Sequence, residues 1–377
     1  MVLGFNDLPD ETVELIIDHT QPGFDHRSRT LAQGICRDLL DAHEHDSLVT
    51  ERLFPQLTWL PTEHLKYYTF LQQLTRSLSP TQLASISYLP VSDRIRQMAL
   101  IAQENQDRAL ITIASQITQD NQDRVLLTIP SLIPEEDVSL MANRFRNQLH
   151  DQTIQTDAII SLNLSYRDII SLPDEITRFS SLLHLELSAS QLLSIPDSLG
   201  QLSKLVHLHL SQNRLTSFPD SLGQLSRLEI LDLHGNRLTS IPDSLGQLSN
   251  LIRLDLRQNR LTSIPDSLGQ LSKLQDLDLS ENQLTSVSDS LGQLLNLRLI
   301  YLCQNQLTFV PNSLGNLSDL IDLDLSENQL TSVPDSLGRL SNLTMLNLGY
   351  NQLISVPDSF RQLPKLVIWD LRMNLLT

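Results

Sequence analysis

The sequence predicts an α/β fold, a solenoid of stacked repeats over residues 156–377, preceded by an all-α N-terminal region. Apolar residues recur with a period of 23 residues from Ile159 to Leu366. Within each period, two leucines are spaced by two, as in a strand whose alternate residues point inward. Because one repeat of this length cannot bury its own leucines, the repeats must stack on one another.

The repeat that starts at Leu228 shows what each segment contributes. Its sequence is LEILDLHGNRLTSIPDSLGQLSN. Leu231 and Leu233 mark the strand, and Pro242-Asp-Ser ends the extended segment and favours a turn or the start of a short helix. Burial of about seven aliphatic side chains, at roughly 1.5–3 kcal/mol each, drives the folding of each coil before conformational entropy is subtracted.

One asparagine per repeat is predicted to bond to the backbone of the turn that follows each strand, forming a ladder along the solenoid. These residues are Asn213, Asn236, Asn259, Asn282, Asn305, Asn328, Asn351 and Asn374. The first two repeats have Arg167 and Ser190 at this position, so we expect irregular first coils. Ser288 stands where the other repeats have proline, which predicts a slightly looser turn. The sequence stops at Thr377 in mid-repeat, which predicts a last strand without a cap.

The pattern LxxLxLxxNxLTSIPDSLGQLSN resembles the leucine-rich-repeat family, in its 23-residue intracellular class. The resemblance covers residues from about 156 to 377. It implies a curved solenoid with a parallel sheet on the concave face, and a role in binding proteins rather than in catalysis.

Composition excludes some classes of partner and favours a cytoplasmic location. The net charge of −17 disfavours nucleic-acid binding, because an acidic surface repels phosphate backbones. The two cysteines are far apart and form no cysteine-rich caps, which favours a reducing compartment. The N-terminus lacks the basic segment of a Sec signal peptide, and no apolar run is long enough to predict a membrane span.

The strand positions between the leucines vary from repeat to repeat, whereas the DSLGQLS segments hardly vary. We therefore predict that a protein partner binds the concave face. The candidate residues are His184, His207, His209, Arg253, Arg257, Asp276, Asp278, Tyr301, Asp322, Asp324 and Tyr350. Tyr301 and Tyr350 are the strongest hot-spot candidates, since aromatic side chains dominate binding energy at interfaces.

Three clusters on this face have alternative interpretations. His184, His207 and His209 are compatible with a metal site or a pH sensor, but without a fourth ligand we expect no metal. The two Asp pairs are separated by a coil, which favours steering of a basic partner over cation binding. A third cluster, formed by arginines at one repeat position, is either a solvated edge or a basic strip that binds an acidic partner: Arg214, Arg237 and Arg260.

Residues 1–50 contain a segment that resembles the F-box. The stretch LPDETVELIID carries matching positions at Leu8, Pro9, Glu11, Val13, Ile16 and Ile17, and the following helix adds Leu31, Ile35, Cys36 and Arg37. Thr12 and Thr20 depart from the pattern, which has leucine there. The resemblance implies docking on the Skp adaptor of cullin–RING ubiquitin ligases; the alternative is an ordinary capping helix. Residues 51–155 are predicted to form a helical spacer and N-terminal cap for the solenoid.

The sequence has no P-loop, no dinucleotide-binding turn, no zinc-ligand spacing and no GxSxG motif, so we expect neither enzymatic activity nor a cofactor. Two functions remain. In the first, the protein would be a substrate receptor that links a target bound on the concave face to a Skp–cullin ubiquitin ligase. A bacterial effector that acts in a host cell would be one example of such a receptor. Alternatively, it is a scaffold or inhibitor that binds a partner, such as a small GTPase or an enzyme, without a ligase.

Overall fold

A computed structural model describes residues 156–376 without interruption, and before them residues 78, 81–82, 85, 100–101, 103–114, 146–147 and 149–150. The chain divides into two compact units, Met1–Asp107 and Arg108–Thr377. The F-box-like segment predicted in residues 1–50, with all eight of its candidate adaptor-binding residues, lies outside the described residues. So does most of the predicted spacer.

The described residues before the solenoid are helical over 103–114, and shorter helical pieces lie at 81–82, 85, 100–101, 146–147 and 149–150. Within the second unit, Leu110 and Ile113 are fully buried, and Leu149 is almost so. These side chains belong to the same apolar core as the leucines of the repeats. Helix therefore contributes to the N-terminal end of this core.

Ten strands form one parallel sheet in sequence order, which confirms the predicted solenoid architecture. Each strand has three residues: β1 Ser161–Asn163, β2 His184–Glu186, β3 His207–His209, β4 Ile230–Asp232, β5 Arg253–Asp255, β6 Asp276–Asp278, β7 Leu299–Tyr301, β8 Asp322–Asp324, β9 Met345–Asn347 and β10 Ile368–Asp370.

The strands pair in strict register at the repeat spacing, so that Leu231 lies beside Leu254 and Leu254 beside Leu277. The middle residue points into the core in nearly every strand, whereas the first and third residues face away from it. We call the first and third positions of the ten strands the sheet face. The alternation that predicted the strands therefore also fixes which side chains can meet a partner.

Short 3₁₀ helices return the chain to the next strand on the opposite side of each coil. They span Thr156–Ala158, Asp174–Arg178, Asp197–Gln201, Asp220–Gln224, Asp243–Gln247, Asp266–Gln270, Asp289–Gln293, Asn312–Asn316, Asp335–Arg339 and Asp358–Gln362. Pro242 precedes one of them in an extended conformation, with φ −70° and ψ 147°. Its ring fixes φ near this value and stops the strand, as the sequence predicted.

The expectation of a looser turn at Ser288 is wrong. Ser288 has φ −70° and ψ 146°, and the helix that follows it, Asp289–Gln293, is as long as its neighbours. Its hydroxyl accepts a 3.1 Å hydrogen bond from the backbone N–H of Ser290 and donates to the carboxylate of Asp266. The side chain thus acts as a helix N-cap, which compensates for the missing proline ring.

The asparagine ladder is present as predicted. The Nδ2 group of Asn259 donates to the carbonyls of Leu233, Leu256 and Arg257 at 3.0–3.2 Å, and its Oδ1 accepts from the N–H of Leu238 at 2.9 Å. Ser190 replaces this amide in the second coil and reaches only the carbonyls of Leu164 and Ser188. The amide therefore ties each coil to the one before it.

The last coil is less covered than the others. Val367, Ile368 and Trp369 are 81%, 54% and 42% exposed, because β10 has a neighbouring strand on one side only, β9, among the described residues.

Among all the residues that the structure describes, no helix is both long enough and apolar enough to cross a bilayer.

Candidate functional site

The sheet face carries two rows of side chains that run along the solenoid. The first row comprises Ser161, His184, His207, Ile230, Arg253, Asp276, Leu299, Asp322, Met345 and Ile368. The third row comprises Asn163, Glu186, His209, Asp232, Asp255, Asp278, Tyr301, Asp324, Asn347 and Asp370. Successive members of a row are register partners, at the spacing of neighbouring strands, about 4.8 Å.

Nine of the eleven residues predicted to bind a partner lie in these rows. His184, His207, Arg253, Asp276 and Asp322 are in the first row, and His209, Asp278, Tyr301 and Asp324 are in the third. The other two lie on the turns that follow the strands. Arg257 comes two residues after β5, and Tyr350 comes three residues after β9, with φ 55° and 56% of its surface exposed. These two residues therefore lie beside the sheet face and do not belong to its two rows.

The histidines meet at the N-terminal end of the sheet face, as the sequence predicted. The Nδ1 atoms of His184 and His207 are 3.0 Å apart, and the ring centroids of His207 and His209 are 6.3 Å apart. One Nδ1 must donate to the other, so the two rings cannot both carry a proton there. Burial, together with the neighbouring rings of His184 and His209, lowers the pKa of His207.

Asp232 connects the histidines to the middle of the sheet. Its carboxylate lies 3.6 Å from Nδ1 of His209 and 3.2 Å from Nδ1 of His234, and Oδ1 also accepts from the His234 N–H. Burial would raise the pKa of Asp232, but these partners hold it at about 2. In return, the contact with Asp232 raises the pKa of His209. His209 and Asp232 therefore favour a charged pair.

A group with metal-ligating geometry is present among the described residues, but it is not the histidine trio considered from the sequence. One ligand atom each from Asp232, His234 and Asp255 lie within 4.8 Å of one another. Internal contacts already engage these groups, because His234 bonds to Asp232 and the guanidiniums of Arg253 and Arg257 lie 3.9 and 3.8 Å from Asp255. The arrangement is accounted for without an ion.

Asp255 is the most buried charged side chain of the sheet face, at 4% exposure. Burial and the neighbouring carboxylates of Asp278 and Asp232 raise its pKa to about 6, although two guanidiniums lie nearby. Its Oδ1 accepts the N–H of Arg257. The same bond to the N–H two residues ahead recurs at Asp278 and Asp324, so the third-row carboxylates also shape the turns.

The acidic end of the sheet face surrounds Tyr301. The register confirms that the pair Asp276 and Asp278 is separated from the pair Asp322 and Asp324 by the coil of Tyr301. The phenol donates a 3.2 Å hydrogen bond to Asp322. Burial and the charge and hydrogen bond of Asp322 raise the pKa of Tyr301 to about 12, so the ring stays neutral.

A row next to the sheet face was missed by the sequence analysis, which considered only alternate strand positions. It precedes the first row and includes Glu229, Ile252, Gln275, Arg298 and Ile321. With Ile230, Arg253, Asp276 and Leu299, these residues line a cavity of about 540 Å³. A second cavity, of about 690 Å³, lies at the histidine end and includes Tyr166, Glu186 and His234. The available signal was that the missed position also varies between repeats, from acidic to apolar to basic.

The described architecture is matched by a known family. The model of the family described as "Leucine rich repeat" matches residues 180–238, 226–284, 273–330, 295–353 and 318–376, which together cover more than half of the chain. The chain belongs to the leucine-rich-repeat family. This family provides a scaffold for protein–protein interaction, and the leucine-rich-repeat fold expected from the sequence is confirmed. No curated protein sequence matches the chain.

Several solved structures are similar to part of the chain. A leucine-rich-repeat protein of Leptospira interrogans is 28% identical, over 55% of this chain and 71% of that one, with a TM-score of 0.31. The crystal structure of PEPR1–AtPEP1 is 31% identical, over 57% and 35%, with a TM-score of 0.48. The structure of a TDR receptor is 30% identical, over 61% and 50%, with a TM-score of 0.44. The chain thus spans half or less of the length of the last two chains.

Proposed function

We propose that this leucine-rich-repeat protein binds a protein partner on its sheet face. The observation that carries the proposal is the contrast between the two sides of each coil. The 3₁₀ helices repeat nearly the same DSLGQ sequence from coil to coil, whereas the sheet face changes from histidine to arginine, aspartate and tyrosine. A surface that served packing alone would not need this diversity.

The polarity of the face defines the orientation of the partner. Histidines occupy β2 and β3, and carboxylates dominate β6 and β8, with Tyr301 between them. A partner with an acidic or polar end and a basic end fits this distribution in one direction only, because like charges placed opposite each other are repelled.

The partner-binding role is tested by affinity purification with the whole chain as bait. Tyr301→Ala and Tyr350→Ala are expected to reduce recovery of the partner. The matched controls Gln247→Ala and Asp266→Ala change side chains of the 3₁₀ helices on the opposite side of the coils and are expected to leave recovery unchanged. Equal losses from both sets would reject the sheet face as the binding site.

The sequence of residues 8–37 supports a more specific role as the substrate receptor of a Skp–cullin ubiquitin ligase. In this role, the F-box-like segment binds the adaptor through Leu8, Pro9, Glu11, Val13, Ile16, Ile17, Leu31 and Ile35, and the solenoid presents the target. Such a receptor works in the cytoplasm, or in the host cytoplasm if it is a secreted bacterial effector. What supports the role is the combination of an LPxE opening with a leucine-rich-repeat solenoid, which is an analogy with known receptors.

A pull-down with purified Skp adaptor separates the receptor from a plain scaffold or inhibitor. The wild type is expected to bind the adaptor, and the double variant Leu8→Ala with Ile16→Ala is expected to lose that binding while partner recovery by the solenoid persists. If the wild type does not bind the adaptor, the receptor role is rejected and the scaffold remains. The partner would then be sought among small GTPases and enzymes.

A further inference from the structure

The 540 Å³ cavity has two apolar ends and a polar centre. One end is formed by Ile230 and Ile252, which lie diagonally on adjacent coils. The other is formed by Leu299 and Ile321, which are diagonal in the same way. All four side chains are partly exposed in the absence of a partner. In the first row, the positions outside this groove carry charged or polar side chains except at Met345 and Ile368. The row before it is also apolar at Ile160, Leu183, Val206 and Val367. What distinguishes the groove is therefore an apolar end on each side of a charged centre.

The distance between the two apolar ends follows from the register. The midpoint of the first end falls between β4 and β5, and the midpoint of the second falls between β7 and β8, so three strand spacings separate them. At about 4.8 Å per spacing, this is about 14 Å. An extended peptide rises about 3.4 Å per residue and places alternate side chains on one face. Residues i and i+4 of such a peptide therefore span about 14 Å and point the same way.

The centre of the groove has one cation without a counter-charge. Arg253 lies 3.4 Å from Asp276, so these two charges offset each other. The guanidinium of Arg298 has no ion pair with any residue in the described part of the chain, and it stands beside Gln275 in the neighbouring coil. Residue i+2 of the same peptide points at this centre. A carboxylate there would pair with Arg298 and accept from the Gln275 amide.

From this geometry we infer that the groove binds an extended peptide segment, running along the solenoid, with aliphatic side chains at i and i+4 and a carboxylate at i+2. The inference rests on the proposed binding of a protein partner to this side of the solenoid, and it adds the chemistry of the segment that binds. Glu229 borders the Ile230 end and disfavours a second acidic residue at that end of the segment.

The test is a fluorescence-anisotropy titration of the whole chain with a labelled peptide of sequence Ser-Leu-Ser-Glu-Ser-Leu-Ser. Saturable binding is expected. Two altered peptides report on the pattern: one has the leucines three residues apart, and the other has Gln in place of Glu. We expect each to bind at least tenfold more weakly, which corresponds to about 1.4 kcal/mol. Absence of binding by the parent peptide, or equal binding of all three, overturns the inference.

Matched variants locate the site. Ile252→Ser and Ile321→Ser are expected to weaken binding of the parent peptide at least tenfold, whereas Ile354→Ser, at an exposed turn position, is expected to have no effect. Arg298→Gln is expected to abolish the preference for Glu over Gln, and Arg339→Gln, in a 3₁₀ helix, is expected to keep it. Circular dichroism checks that all five variants fold.

The outcome is distinguishable from that of the proposed function. If the groove variants leave peptide binding unchanged but Tyr301→Ala still reduces partner recovery, the sheet face binds the partner and this groove does not bind the segment. If peptide binding follows the expected pattern but no sheet-face variant affects partner recovery, the groove binds peptides and the broader proposal fails.

Discussion

The phenol of Tyr301 on β7 donates a 3.2 Å hydrogen bond to Oδ2 of Asp322 on β8. The register places Asp278 and Asp324 on either side of Tyr301 in the third row. The hydrogen bond holds the ring in one orientation among three carboxylates before any partner arrives. A side chain that is already ordered loses less conformational entropy on binding, which makes Tyr301 a pre-organised anchor for a partner with a basic group.

Replacement of Tyr301 should separate the contribution of the ring from that of the hydroxyl. Tyr301→Ala removes both and is expected to weaken partner binding by about 2 kcal/mol, the size of an interface hot spot. Tyr301→Phe keeps the ring and loses only the bond to Asp322, so we expect a loss of about 1 kcal/mol. Isothermal titration with the purified partner measures both. A Phe variant as weak as the Ala variant would show that the hydroxyl, and not the ring, makes the contact.

Much of the fold was predictable because the repeat encodes it many times. A leucine at each inward position, an asparagine at each turn and a Pro-Asp-Ser after each strand gave the sheet, the ladder and the position of the helices. The prediction of a looser turn at Ser288 was wrong because the sequence shows only that proline is absent there. It does not show the hydrogen bond from the Ser290 N–H to the Ser288 hydroxyl, which takes the place of the proline ring in holding the turn. The groove was missed for a similar reason. Ile252 and Leu299 are far apart in the sequence, and only the register brings their coils together.

Asp255 should make the stability of the solenoid depend on pH in an unusual direction. Its folded pKa of about 6 lies above the ordinary 3.8, so the folded state binds the proton more tightly than the unfolded state. The contribution of Asp255 to stability therefore rises as pH falls from above 6 towards 4. Asp255→Asn removes the buried charge and keeps an oxygen for the Arg257 N–H. We expect it to raise the free energy of unfolding at pH 8 by on the order of 2 kcal/mol, and by less at pH 5.

Urea unfolding at the two pH values measures this effect, and Asp370 supplies the control. Hydrogen bonds from Arg372 lower the pKa of Asp370. The Asp370 carboxylate therefore stabilises the fold at any pH above the ordinary pKa of an aspartate, and this stabilisation is lost only in acid. Asp370→Asn should therefore lower stability equally at pH 5 and pH 8. If Asp255→Asn also changes the free energy of unfolding by the same amount at pH 5 and pH 8, the buried charge of Asp255 is not the cause of the change.

The asparagine ladder should be most costly to break in the middle of the solenoid. Asn259→Ala removes one donor from three carbonyls, each of which keeps a second donor, and it leaves the buried Leu238 N–H without its acceptor. We expect a loss of about 2 kcal/mol, since a buried unsatisfied group costs about 1–3 kcal/mol. Asn374→Ala removes an equivalent amide from the less buried last coil and should cost clearly less. Denaturant midpoints compare the two, and equal losses would mean that burial does not set the cost.

The two glycines of one coil should respond differently to substitution by alanine. A Cβ on Gly246 would lie 2.3 Å from the carbonyl oxygen of Ser267 in the next coil, so neighbouring 3₁₀ helices would have to separate. Gly235 has φ +66°, but its nearest contact would be 3.3 Å, from the flexible end of Gln212, and the neighbouring repeats hold Gln212 and Gln258 in the same left-handed conformation. We expect Gly246→Ala to cost about 3 kcal/mol by overpacking and Gly235→Ala only about 1 kcal/mol by backbone strain. Thermal unfolding followed by circular dichroism ranks them. A Gly246 variant as stable as the wild type would show that the helical layer is loose enough to expand, and that close contact between its backbones does not hold the coils at their spacing.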